Sequence, residues 1–247
     1  MASAPQPPTT GKLEVGYWDI RGLCAPLRMM CCYAGADYDP KLYVLQAKEG
    51  GGWDASNWFG VKPALKEKNA LMNLPYIVDG DVVVSQTNAC FAYLGRKFGL
   101  YGSNDTEMIQ CEQVLCEVMD LRNNAVKFFY SSGDDLAERT AAHATSAEGS
   151  FGKLEEWLAQ QGTDFFAGAS PTAADFHAFE MVDQHACTEI LVASAENFPL
   201  LAAFHARFRA LPQLQAYFDG PLHKLPLNNR MACVGATADP LAHKKTE

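Results

Sequence analysis

One stretch near the start of the chain, residues 16–23 (GYWDIRGL), constrains the fold more than any other. Val15 and Tyr17 favour a β-strand, and Gly22 marks a turn. Residues 25–34 then carry apolar side chains at the spacing of a helix. A strand that turns into a helix places the Tyr17 phenol at the strand's carboxyl end, where α/β folds carry their chemistry.

A phenol in that position can donate a hydrogen bond to an anion. Donation to a thiolate stabilises its charged form, and lowering a thiol pKa by about two units from ~8.5 corresponds to about 2.7 kcal/mol. The alternative is that Tyr17 is an ordinary buried aromatic residue whose hydroxyl is bonded to the backbone. This stretch alone leaves both interpretations open.

The N-terminal part of the chain predicts a βαβ unit followed by a hairpin and a helix. A right-handed crossover makes the second strand, at 38–45, parallel to the first. Three consecutive glycines within 46–57 predict a mobile loop. Asp79 and Gly80 predict the turn of a hairpin at 73–84. The other predicted elements are a strand at 12–18 and helices at 25–35, 58–67 and 85–97.

From residue 105 onward the sequence predicts helices only. At 171–176 (PTAADF), Thr172 and Asp175 predict a capping box, whose loss costs ~1 kcal/mol. The predicted helices lie at 105–130, 135–160, 172–191, 198–210 and 212–218. The chain therefore divides into a disordered arm at 1–11, an α/β domain at 12–97, a linker at 98–104, an all-helical domain at 105–219 and a tail at 220–247.

The chain of 247 residues carries 20 Lys and Arg against 29 Asp and Glu, a net charge of −9. That acidic excess argues against nucleic acid as a partner. No apolar run approaches the ~18 residues that a membrane span needs. The eight cysteines include no CxxC pair and show no zinc-ligand spacing. They are typical of reduced core residues, which predicts a cytoplasmic protein without a metal.

Four motifs together resemble those of the cytosolic glutathione transferases, and of the mu class in particular. They are 16–23 (GYWDIRGL), 73–76 (NLPY), 85–89 (SQTNA) and 171–176 (PTAADF). The resemblance implies an α/β thioredoxin-like N-terminal domain (βαβ-ββα) followed by an all-α C-terminal domain, assembled as a homodimer. It also implies an enzyme that joins glutathione, as co-substrate, to small hydrophobic electrophiles without a cofactor.

The resemblance gives the candidate site residues their roles. Tyr17 would hydrogen-bond the glutathione sulfur and stabilise the thiolate, and Tyr130 would donate a hydrogen bond to charge developing on the electrophile. Asp120 would reach across the dimer interface toward the γ-glutamyl amine. The other glutathione-binding residues are Trp18 and Leu23 beside the thiol, Trp58 and Lys62 at the glycyl carboxylate, Leu74 and a cis Pro75 at the cysteinyl unit, and Gln86 and Thr87 at the γ-glutamyl end. Asn73 is a further glutathione-binding candidate.

Three positions depart from the family pattern. Ala55 stands where an arginine is usual in the loop before Trp58, and Lys48 is a candidate substitute. Losing one charged hydrogen bond costs ~1.5–3 kcal/mol if nothing replaces it. Leu71 stands where mu enzymes insert an aromatic residue into the partner subunit, and Thr87 replaces a serine but keeps the hydroxyl.

Two alternative functions remain open. A glutathione thiol–disulfide oxidoreductase would use Cys24, whose place at a helix start would lower its pKa. A non-catalytic binding module would keep the fold without the chemistry. The lack of a CxxC partner argues against the first alternative, and the presence of Tyr17, Trp58 and Gln86 argues against the second.

Overall fold

The computed structural model describes residues 12–245, and the predicted arm at 1–11 lies outside the described residues. The N-terminal half alternates strands and helices, which confirms the predicted α/β order. Its elements are β1 (Leu13–Trp18), α1 (Ala25–Tyr33), β2 (Tyr38–Tyr43), β3 (Gln46–Ala47), β4 (Trp53–Asp54), α2 (Ser56–Phe59), α3 (Lys62–Lys68), β5 (Tyr76–Asp79), β6 (Val82–Ser85) and α4 (Thr87–Phe98).

The main sheet has the strand order β2-β1-β5-β6. β1 pairs in parallel with β2 and antiparallel with β5, so it lies inside the sheet. Gly16 lets the ring of Tyr76 pass close to the strand, because a Cβ there would lie 2.1 Å from Tyr76 Cε1. Tyr17 is therefore presented from a strand that is paired on both sides.

Two predictions about turns were wrong. The stretch 46–57 is not a loop throughout, because β3 and β4 pair as a short antiparallel hairpin. Glycines 50–52 form its tip with positive φ at all three positions, which glycine accepts without strain. In the next hairpin Asp79 pairs with Val82, so the turn consists of residues 80–81 and not of Asp79 and Gly80.

Helices make up the C-terminal half, as predicted. Asn104 caps the first of them by accepting a bond from the Glu107 N–H at 3.0 Å, and Gly162 ends the second with φ 62°. Asp175 accepts bonds from the backbone N–H and the hydroxyl of Thr172, at 2.7 and 2.8 Å. The helices are α5 (Asp105–Phe129), α6 (Leu136–Gln161), α7 (Ala173–Cys187), α8 (Pro199–Arg209) and α9 (Gln215–Asp219).

One continuous apolar cluster joins the two halves of the chain. It contains Val15 and Leu27 from the α/β half and Val118 and Phe179 from the helices, all fully buried. Within residues 12–245, no helix has both the length and the apolar character that crossing a membrane requires. The site described next lies where these two halves meet.

Candidate active site

Tyr17 lies at the end of β1 with 5% of its surface exposed. The loop that follows wraps its ring: Gly22 has φ +40°, and a Cβ there would lie 2.7 Å from Tyr17 Cε1. Burial raises the pKa of Tyr17, while the Arg122 guanidinium and the backbone amide of Leu23 oppose that rise. The phenol therefore keeps its proton at neutral pH and is available as a hydrogen-bond donor.

Two arginines hold the loop between β1 and α1 from different sides. Arg28 on α1 donates to the carbonyl oxygens of Ile20 and Trp18, at 2.8 and 3.1 Å. Arg21, within the loop, donates to two carboxylates of α7 at 2.6–3.0 Å. These carboxylates belong to Glu180 and Asp183. Charged hydrogen bonds of this kind are short and directional, so they fix the loop that shapes the surroundings of the phenol.

Arg122 on α5 is a site residue that the sequence analysis missed. Burial lowers the pKa of its half-buried guanidinium, and interactions with Tyr17 and Tyr130 oppose that lowering. Among the described residues it forms no salt bridge with a carboxylate. The available signal was the spacing of Arg122 and Tyr130, which are about two turns apart on the predicted helix 105–130. A positive charge thus interacts with both phenols.

Tyr130 follows the last turn of α5 and meets the C-terminal tail. Its Oη accepts a hydrogen bond from the backbone N–H of Asn229 at 2.9 Å. The N–H groups of residues 21–22 donate to the carbonyls of residues 226–227, at 2.8 and 3.0 Å. The tail, whose path the sequence did not predict, therefore bridges the Tyr17 loop and Tyr130. Because the Tyr130 oxygen accepts here, its own proton is free to be donated elsewhere.

A second group of side chains surrounds Trp58. This indole is 1% exposed and stacks on the ring of Tyr76, with the ring centres 5.9 Å apart. Lys62 Nζ lies 5.5 Å from the centre of the Trp58 ring and donates to Asn73 Oδ1 at 3.4 Å. Lys48, the candidate substitute for the missing arginine, is exposed on the β3–β4 hairpin. Three predicted site residues, Trp58, Lys62 and Asn73, are thus neighbours.

Hydrogen bonds connect this group to the start of α4. The Asn73 N–H donates to Ser85 Oγ at 2.9 Å, and Ser85 Oγ donates back to the Asn73 carbonyl at 3.0 Å. The peptide bond before Pro75 is cis, as the resemblance implies. Gln86 is exposed with φ 74°, a conformation that costs ~1–3 kcal/mol outside glycine. It precedes Thr87, where α4 begins and unpaired N–H groups can receive an anion.

Trp18 and Leu74 join the two parts of the site. Both are half-buried, and both pack against the main core, which contains Tyr17, and against the smaller cluster, which contains Trp58. Leu23 is half-buried in the loop that wraps the phenol. A single chain thus brings together the Tyr17 phenol, the backbone around Leu74 and the Lys62 side chain.

Asp120, another predicted site residue, lies away from the surroundings of Tyr17. It is exposed on α5, two residues before Arg122, and at 100° per residue the two side chains point to different sides of the helix. Asp120 instead lines a groove of about 630 Å³ between α5 and α6. Within a single chain it does not reach the surroundings of Tyr17.

The sequence predicted a lowered pKa for Cys24, and this prediction was wrong. The thiol is fully buried at the start of α1, and burial raises its pKa, with only partial opposition from Arg28. Desolvation of the thiolate outweighs the favourable field of the helix start. All eight cysteines are free thiols. Within residues 12–245, no group of three His, Cys, Asp or Glu side chains is arranged to hold a metal ion.

Comparisons with known proteins agree over most of the chain. A family model described as "Glutathione S-transferase, C-terminal domain" matches residues 119–220. Glutathione S-transferase Mu 3 of Macaca fuscata fuscata is 32% identical over 221 residues, which are 89% of this chain and 94% of that protein. Glutathione S-transferase Mu 5 of Mus musculus is 31% identical over 222 residues, with the same coverage of both chains.

Solved structures show the same fold. The crystal structure of glutathione S-transferase Blo t 8 covers 90% of this chain and 99% of its own, at 24% identity and a TM-score of 0.77. The pi-class glutathione S-transferase of Onchocerca volvulus covers 90% of this chain and 100% of its own, at 25% identity and a TM-score of 0.71. The similarity therefore includes both the sheet and the helices.

Proposed function

Since this chain belongs to the glutathione S-transferase family, we propose that its Tyr17 activates reduced glutathione for conjugation to small hydrophobic electrophiles. The enzyme is a transferase, and its relatives named above are mu-class proteins. The observation that carries the proposal is the buried, protonated Tyr17 hydroxyl beside the guanidinium of Arg122. In the reaction the thiol loses its proton to solvent and the sulfur forms a bond to an electrophilic carbon. At an aryl halide the carbon–halogen bond breaks and the halide leaves with the bonding pair, whereas at an enone the carbon–carbon π bond breaks and the resulting enolate takes a proton from solvent.

Two groups would stabilise the thiolate. Tyr17 donates a hydrogen bond to the sulfur, and a bond to a charged group is worth ~1.5–3 kcal/mol. Arg122 adds a positive charge that carries no carboxylate partner in the described part of the chain. Together they would lower the thiol pKa from ~8.5 by about two units, which makes the nucleophile anionic near neutral pH. No metal or redox cofactor is required for this step.

The rest of glutathione would lie across the two parts of the site. Lys62 and the Trp58 indole would bind the glycyl carboxylate, and the Leu74 backbone would pair with the cysteinyl unit. Gln86 and Thr87 would bind the γ-glutamyl end, with α4 N–H groups at its carboxylate. The hydrogen bonds that link Asn73 to the residue before Gln86 support one continuous binding surface. Trp18, Leu23, Asn73 and Pro75 complete this surface.

Tyr130 would act on the electrophile. Its hydroxyl accepts from the tail and can donate its own proton to charge that develops on the acceptor. Holding both substrates together lowers the entropic cost of their encounter. The tail residues around Asn229 would then form one wall of the acceptor site.

We also propose a homodimer, in which Asp120 would reach the γ-glutamyl amine of a glutathione bound to the other subunit, as the resemblance implies. Two exposed apolar side chains of the α/β half, Phe59 and Leu71, are 59% and 69% exposed. The α5–α6 groove offers Ile109 and Trp157 to such side chains. Light scattering of the purified chain tests this proposal, and a monomer mass at assay concentration would contradict it. The free thiols support a reducing compartment, the cytoplasm.

A glutathione-affinity column followed by a conjugation assay tests the catalytic proposal. The chain should be retained, eluted by free glutathione, and form a thioether with an activated aryl chloride or an enone. Retention without turnover of any electrophile in a broad panel would favour the non-catalytic binding module. Failure to bind glutathione would remove the proposal altogether.

A further inference from the structure

Two histidines that the proposed reaction does not use form a hydrogen-bonded pair inside the helical half. His143 Nε2 on α6 lies 3.2 Å from His185 Nε2 on α7, and both side chains are buried. His185 Nδ1 lies 2.7 Å from the Met181 carbonyl, which can only accept, so this nitrogen carries the proton. His185 Nε2 is therefore the acceptor, and His143 Nε2 is the donor of the bond between the rings.

The pair is enclosed by aromatic rings of α5 and α6. His143 stacks on Phe128 with the ring centres 4.8 Å apart and 15° between the planes, and it meets the edge of Phe129 at 6.0 Å. Phe151 lies 5.4 Å from His185. The enclosing rings offer no anionic ligand that would compensate a buried metal cation, which argues against a metal between the two nitrogens.

Phe128 and Phe129 form the last turn of α5, directly before Tyr130. Their carbonyl oxygens also anchor the tail: the Cys233 N–H donates to the Phe129 oxygen at 2.8 Å, and its Sγ lies 3.2 Å from the same atom. The turn that His143 contacts thus holds both the Tyr130 side chain and the tail segment whose Asn229 N–H donates to Tyr130 Oη.

A buried polar pair in an aromatic core is costly unless both partners are satisfied, and when satisfied it selects one arrangement of the elements that carry it. Arg139, one turn before His143, contacts the same region through the residues on either side of it rather than through the rings. Its guanidinium donates to the Gly133 carbonyl at 3.0 Å and to Ser131 Oγ, and it lies 3.9 Å from Cys233 Sγ. The bond between the two imidazoles therefore fixes α6 against α7 at the place where the end of α5 rests.

We propose that His143 is a positioning residue for Tyr130: held in place by His185, its ring sets the last turn of α5 and so the direction of the Tyr130 hydroxyl. This inference rests on the proposed function, because it is Tyr130 that meets the electrophile. It predicts that the His143–His185 pair affects the attack on the electrophile and leaves thiolate formation at Tyr17 unchanged.

The test compares His143→Phe with the parent enzyme on two electrophiles. Phe keeps the ring stack and removes the donor to His185. For an enone, whose oxygen gains charge during addition, kcat should fall about tenfold, since small misplacements of catalytic groups have effects of this size or larger. For an alkyl iodide, which offers no oxygen to Tyr130, kcat should stay within about twofold by the same geometric argument. The KM for glutathione and the pH at which bound glutathione ionises should not change.

A double-mutant cycle with Tyr130→Phe decides whether the effect passes through Tyr130. The double variant should turn over the enone at the rate of Tyr130→Phe alone. The proposal is overturned if the losses in kcat of the two single variants multiply in the double variant. It is also overturned if His143→Phe loses as much kcat on the alkyl iodide as on the enone. If His143→Phe does not fold, His143→Leu, which also removes the donor to His185, enters the same cycle. Phe204→Leu, a core change whose ring contacts are with Phe165, Phe166 and Phe208, controls for general destabilisation.

Failure of the proposed function would look different from failure of this inference. A parent enzyme without conjugation activity, or a Tyr130→Phe variant equal to the parent on the enone, would remove the role of Tyr130 itself. A fully active parent with an impaired Tyr130→Phe variant and an unimpaired His143→Phe variant would remove only the positioning role.

Discussion

Replacing Tyr17 by Phe removes one oxygen from the site and leaves the ring in contact with Gly22. The lost interaction is a hydrogen bond to a charged sulfur, worth ~1.5–3 kcal/mol. At 1.36 kcal/mol for each pKa unit, the pKa of bound glutathione should rise by about one to two units. Arg122 remains in the variant, so part of the stabilisation of the thiolate should persist.

The assay is a titration of the enzyme–glutathione complex that follows the ultraviolet absorbance of the thiolate, together with kcat across the same pH range. Below both pKa values, kcat should fall ~10–100-fold, in proportion to the thiolate fraction. At high pH, where the thiol is ionised in both enzymes, the two rates should converge. Tyr101→Phe is the matched control, because it loses a hydroxyl bonded to Glu112 at 3.1 Å, outside the site.

One result would refute the reasoning. If the thiolate titration of Tyr17→Phe coincides with that of the parent, Tyr17 does not donate to the sulfur, whatever happens to the rate. A parallel rise in Tyr101→Phe would show that loss of any buried hydroxyl moves the titration.

Three further outcomes are expected. Arg122→Gln should raise the pKa of bound glutathione by about one unit and Arg122→Lys by less; identical titrations of all three enzymes would contradict this. Burial lowers the pKa of His143 and His185 to about 4, so below pH 6.5 the unfolded chain binds more protons and the free energy of unfolding falls as pH falls. Urea titrations should show a shallower fall for His143→Phe, by about 1.4 kcal/mol per pH unit, and parallel curves would contradict it. Cys24→Ser should conjugate at the parent rate, whereas an inactive folded variant would restore the thiol–disulfide alternative.

Local patterns were sufficient for much of the fold. The PTAADF motif predicts the start of α7 because the contact between Thr172 and Asp175 spans three residues. The hairpin 73–84 was predicted with its turn shifted by one residue, because Asp79 favours turns in general but is buried and paired in this one. The β3–β4 hairpin was missed because three glycines suit both a tight tip and an unpaired loop.

Contacts between distant residues explain what the sequence could not predict. Arg122 belongs to the site because it interacts with Tyr17 and Tyr130. Tyr17 is far from Arg122 along the chain, so no local pattern connects the two residues. The raised pKa of Cys24 follows from burial, which the helix-start position does not reveal. Asp120 lies in the α5–α6 groove, away from the surroundings of Tyr17, and this placement also follows from packing between helices that no local pattern reveals.

The two backbone bonds from residues 21–22 to residues 226–227 also have a consequence for folding. The donors and acceptors of these bonds lie far apart along the chain, and closing so long a loop costs conformational entropy. A chain whose first sheet has already formed therefore still lacks this closure until residues 226–227 dock on it. A chain cut before these residues would lose both bonds, and the loop behind Tyr17 would be released from the tail.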